Sequence, residues 1–141
     1  MLKISMKMSK VKGIHYLLEA AARFSAKKVE VWLIGGVLPE ARELLSRYEG
    51  RFRHFGVLPR GELYRYYSQG SVFVLASIEE GLALVQAQAM ACCLPIIATT
   101  NTGAEDLFTD GIEGFVVPIP PMDEQVKIVE ILDEQMSRLD A

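Results

Sequence analysis

The chain has 141 residues, half of them apolar and 23% charged, with a formal net charge of −3. That is the composition of one folded domain with a single core and not of a disordered chain. The charge has the wrong sign to gather nucleic acid, and no cluster of lysine and arginine offsets it.

The two cysteines, Cys92 and Cys93, are adjacent. They cannot staple a loop, and with no histidine nearby they do not complete a zinc set. They read as packed small residues in a reducing, cytoplasmic setting. No run approaches the roughly 20 apolar residues of a membrane span. The first ten residues carry lysines but lack the apolar stretch of a signal peptide. Membrane contact is expected to be peripheral at most, through another domain.

In chain order, residues 2–6 are a first candidate strand. A helical pattern follows, with Ile14, Leu17, Leu18, Ala21 and Phe24 on one face at about 3.6 residues per turn. The β-branched run at 29–34 stops at Gly35-Gly36, as a buried strand does. Helical patterns at 40–48 and 62–68 bracket a weaker strand at 53–57, which Gly56 interrupts. Apolar runs at 71–76, 95–98 and 115–117 are further strands. The segments at 82–92, 104–109 and 123–139 complete the helices. Short apolar strands alternating with helices predict one α/β domain over residues 1–141, a Rossmann-like parallel sheet of about six strands with helices on both faces.

In such a sheet ligands gather beyond the carboxyl ends of the strands. The segments there are 7–13, 35–37, 77–84 and 99–105. The richest is Ser77-Ile-Glu-Glu-Gly-Leu-Ala-Leu-Val-Gln-Ala-Gln-Ala-Met-Ala91. It reads as a strand end, an acidic turn with Glu80 at its lip, a glycine and a helix. Gly81 allows close backbone approach, and the free N–H groups of the first turn, around Leu82, Ala83 and Leu84, would face an anion. Gln88 follows Glu80 by a little over two helical turns and points broadly the same way.

These residues resemble the group 1 family of retaining glycosyltransferases with the two-domain GT-B fold. The C-terminal half of that family carries Ser-x-x-Glu-Gly-Phe-Gly-Leu-x-x-x-Glu-Ala-Met-Ala-x-Gly-x-Pro-Val. Glu80 takes the place of its first carboxylate and Gln88 of its second. The family opens that half with Gly-Arg-Leu-x-x-x-Lys-Gly, where this chain has Met6, Lys7 and Lys12-Gly13. Gly35-Gly36, the segment 55–59 with Val57, and the segments 101–105 and 110–118 match in order and spacing.

The resemblance implies that Glu80 addresses donor-sugar hydroxyls and that position 88 addresses the nucleotide ribose. It implies that Lys7 and Lys12 hold the donor diphosphate, with Gly35, Gly36 and Val57 also lining the donor site. Fixed cations suit that role, because the leaving nucleoside diphosphate gains negative charge as the glycosyl bond breaks. Gln88 is an amide where the family has a carboxylate, so its bonds to hydroxyls lack charge assistance. The resemblance further implies a nucleotide-diphosphate-sugar donor, no metal or cofactor, and an acceptor-binding N-terminal domain in cis or on a separate chain.

Ordinary readings stand beside these. Glu80 alone would be a solvated turn carboxylate, Lys12-Gly13 alone a helix start, and His15 an exposed or half-buried helix residue. Cys93 stands where the family has a helix-ending glycine, and a left-handed conformation there would cost on the order of 1 kcal/mol. Met6, Gln88 and Cys93 depart from the pattern together, which keeps a non-catalytic nucleotide-binding or interaction module open. A flavodoxin-like or receiver-like domain would need a flavin-phosphate loop or an acidic phosphoacceptor pocket, and the sequence shows neither.

Overall fold

In a computed structural model, residues 2–7, 11–25, 28–76, 84–100, 102–118, 134, 137 and 138 are described. Strand β1 (Leu2–Lys7) pairs in parallel with β2 (Val29–Ile34) along its whole length, from Leu2 opposite Val29 to Lys7 opposite Ile34. Helix α1 (Val11–Ala22) crosses between them. A 3-10 turn at Pro39–Ala41 and helix α2 (Arg42–Arg47) lead to β3 (Phe52–His54), on the outer side of β2.

The chain then returns through a 3-10 turn at Arg60–Glu62 and helix α3 (Leu63–Tyr67) to β4 (Val72–Leu75), beside β1. Helix α4 (Leu84–Ala91), β5 (Ile96–Thr99), a 3-10 turn at Ala104–Asp106 and β6 (Gly114–Val117) extend that side. The sheet order is β3-β2-β1-β4-β5-β6, and every pair is parallel. This is the doubly wound order, with its switch point between β1 and β4.

The continuous apolar runs are explained by burial on both faces. Side chains alternate across the sheet. Val31, Leu33, Val72, Val74 and Ile97 pack against Ile14, Leu17 and Leu18 of α1 and Leu45 of α2. On the other face Phe73, Leu75, Ile96 and Ala98 pack against Tyr67 of α3 and Val85 and Ala89 of α4. The Arg51 guanidinium donates to the carbonyls of Ala21 and Phe24, capping the end of α1.

Two expectations change in detail, and a third goes largely untested. The third strand ends at His54, because Gly56 sits at φ +68 and turns the chain. The predicted helix at 104–109 is a single 3-10 turn. Its downstream backbone donors go to side chains instead, Thr109 N–H to the Glu113 carboxylate and Val116 N–H to Asp110. The C-terminal helix predicted at 123–139 lies largely outside the described residues; Glu134, Ser137 and Arg138 are helical, with Arg138 paired to Glu134 at 2.9 Å.

The end of α4 follows the predicted geometry. Cys93 has φ +62, its N–H bonds to Met90 O, and the Leu94 N–H reaches back to Ala89 O. That pair of bonds is a Schellman cap, which favours glycine at the left-handed position. Replacing Cys93→Gly should therefore stabilise the domain by about 1 kcal/mol, raising the thermal midpoint by several degrees in a calorimetric scan. Gly114→Ala should do the reverse. Its Cβ would collide with the backbone of Ile96 on β5, so the urea midpoint should fall and soluble yield should drop with it.

Candidate functional site

The exits of β1, β2 and β3 form one side of the switch-point crevice. Lys7 closes β1 opposite Ile34, one residue before Gly35 on the neighbouring strand. Lys12 is the second residue of α1, so both lysines belong to the strand–helix connection at this edge. The exits of β2 and β3 are tied together by backbone. Phe55 N–H donates to Leu33 O at 2.9 Å and Gly35 N–H to Gly56 O at 2.8 Å. His54 Nε2 lies 2.6 Å from Gly35 O.

Gly35 has φ +129, which only glycine adopts readily, so the turn after β2 depends on it. Gly36 is different. A Cβ there would meet Val57 at 3.5 Å, an ordinary contact, so space does not require glycine at this position. Val57 is 80% exposed at the lip of the same edge. The structure thus brings Gly35, Gly36 and Val57 together, beside the end of β1.

On the other side of the switch point, Glu80, Gly81, Leu82 and Ala83 lie outside the described residues. Leu84 opens α4 and is 54% exposed. Gln88, one turn on, is half-buried, and its Oε1 has no hydrogen-bond partner among the described residues. Gln86 is fully buried. Its amide donates to Thr102 O at 2.8 Å, and the Thr102 hydroxyl donates to Thr99 O at 2.7 Å. This relay binds α4 to the exit of β5 and holds the two walls in register.

Gln88 also lines a cavity of about 290 Å³ between α3 and α4. The opposite wall is Arg60, Leu63, Tyr64 and Tyr67, with Cys92 below Gln88. Tyr67 is 1% exposed, yet its hydroxyl has no partner among the described residues. Burial, and secondarily Cys92, push its pKa up to about 12, so at neutral pH it is a phenol able to donate. Sequence reasoning missed this wall. The only signal was the aromatic run Tyr64-Arg-Tyr-Tyr67, which reads as core spacing. Among the described residues, no cluster of three or more histidine, cysteine or carboxylate side chains could hold a metal. No described helix is long and apolar enough to cross a membrane.

Residues 4–134 match the family model of group 1 glycosyl transferases. The chain is 32% identical over 121 residues to the alpha-maltose-1-phosphate synthase of Mycobacterium tuberculosis, covering 79% of this chain and 31% of that enzyme. A solved C-terminal domain of a group 1 family glycosyl transferase from Francisella tularensis superposes with a TM-score of 0.73 at 23% identity, covering 99% of this chain and 78% of that one. Anabaena HepE, solved with UDP-glucose, superposes with a TM-score of 0.72 at 20% identity, covering 99% and 41%. At those identities the two structures speak for the fold. The chain spans about a third of the length of the mycobacterial enzyme. With nearly every residue inside the family match and the doubly wound order in place, the chain belongs to the group 1 glycosyl transferases and has the Rossmann-like fold of their C-terminal, GT-B half.

Proposed function

We propose that the chain is the donor-binding domain of a glycosyltransferase that moves a sugar from a nucleoside diphosphate to an acceptor with retention of anomeric configuration. Lys7 and Lys12 stabilise the diphosphate as charge builds on the leaving group, and the N–H groups at Leu82, Ala83 and Leu84 after Gly81 assist. Glu80 orients the sugar through its hydroxyls. Gln88 addresses the ribose, and Gly35, Gly36 and Val57 wall the donor at the exits of β2 and β3. Fixed cations do the electrostatic work, so the reading requires no metal. The acceptor is bound by a second domain, in cis or on a separate chain, which also brings any peripheral contact with the inner face of a membrane.

The observation that carries this reading is the convergence of family match and geometry. The match runs over residues 4–134, and the described ends of β1, β2 and β3 and the start of α4 lie at one edge of the sheet. HepE, which shares the fold, holds UDP-glucose.

The reading is tested by calorimetric titration of the chain with nucleoside diphosphates and their sugars. Binding in the micromolar to millimolar range is expected, and Lys12→Ala should weaken a diphosphate by about tenfold or more. Glu80→Ala should affect the sugar nucleotide and leave the free diphosphate nearly unchanged. Restoring the carboxylate with Gln88→Glu should tighten binding several-fold, because a charged acceptor holds ribose hydroxyls more strongly. No binding at millimolar ligand, together with no gain from Gln88→Glu, would favour a non-catalytic module of the same fold.

A further inference from the structure

The α3–α4 cavity holds more chemistry than its ribose-facing glutamine. At about 290 Å³ it lies at the small end of the ~300–1,000 Å³ typical of ligand sites, room for one end of a donor and not the whole. Its sides at Leu63, Tyr64 and Cys92 suit a flat, largely apolar body. Two buried oxygens of lining residues, Tyr67 Oη and Gln88 Oε1, have no partner among the described residues. A buried polar atom without a partner is costly, so a ligand that supplies one is favoured.

Arg60 is the one charged residue of the lining among the described residues. It is exposed at the start of the 3-10 turn before α3, and its guanidinium makes no hydrogen bond or ion pair among the described residues. A guanidinium only donates, so its partner must present acceptors. The lysines assigned to the diphosphate lie at the β1–α1 connection, on elements other than those that line the cavity. With the diphosphate assigned to the lysines, the ribose to Gln88 and the sugar to Glu80, the donor's remaining acceptors are those of the base.

We infer that Arg60 is a specificity-determining residue that reads the nucleobase, selecting an oxo-base (uracil or guanine) over adenine. This rests on the donor-site reading above. Uracil offers two ring carbonyls, and guanine offers O6 and N7 to the fork of an arginine. Adenine turns an amino donor toward the same fork.

The test is calorimetric titration of the full chain with UDP, GDP, ADP and inorganic pyrophosphate, repeated on Arg60→Ala and Arg60→Gln. The wild-type chain should bind UDP or GDP at least tenfold more tightly than ADP. Arg60→Ala should weaken the preferred nucleotide by about tenfold or more, with ADP and pyrophosphate unchanged. Arg60→Gln should narrow the gap or reverse it, since an amide both donates to and accepts from the adenine edge. A uniform loss on Arg60→Ala that includes pyrophosphate would make Arg60 a phosphate contact and overturn the inference. Equal affinity for the three nucleotides, or a wild-type preference for ADP, would also overturn it while leaving the donor-site reading intact. Failure of the wild-type chain to bind any nucleotide would remove both.

Discussion

Strand β1 lies between β2 and β4, hydrogen-bonded to both, and the rest of the molecule is arranged around that position. The chain builds outward from β1 to β3, then returns to the other side of β1 and builds outward again. Connections on the two sides therefore pass over opposite faces of the sheet, and their loops part above the end of β1. A crevice opens there without any residue being selected to create it. Lys7 ends the strand at its floor, the glycine turn after β2 borders one side, and α4 starts on the other.

The walls of that crevice are held by different means. On the β2–β3 side, backbone bonds between residues 33–35 and 54–56 make one rigid rim, dependent on a glycine at φ +129. On the β4–β5 side, a buried glutamine and two threonines do the holding. The Gln86 amide and the two threonine hydroxyls are all donors in this relay, and together they fix α4 against the exit of β5. The helix that carries Gln88 is thus located by neighbours rather than by its own propensity.

Charge is distributed to match. The chain is acidic overall, yet the lysines and arginine assigned to the donor fall at this edge and at the cavity mouth. On the proposed reading, a donor whose two ends differ chemically, an anionic diphosphate and a flat base, would meet two kinds of surface. Point charges on flexible stems suit the first, and a planar fork beside aromatic and aliphatic walls suits the second.

Much of this was legible in the residues. Buried strands such as 29–34 and 71–76 announce themselves by unbroken β-branched runs, because both faces of a parallel sheet are covered. The left-handed cap at Cys93 was legible only through the resemblance, which puts a helix-ending glycine at that position. The boundaries of β3 and of the turn at 104–106 were not. They depend on where a glycine takes positive φ and on which side chains capture backbone donors, and neither is a property of a local apolar pattern. Sequence alone determined the α/β alternation, the chemistry of the strand-exit segments and the family. Only the tertiary structure decided that Arg60 and Tyr67 share a cavity with Gln88, and that Gly35 rather than Gly36 is the constrained glycine. Those facts arise from the packing of α3 against α4 and from backbone torsions, which join residues more than 20 positions apart and leave no periodic trace in the chain.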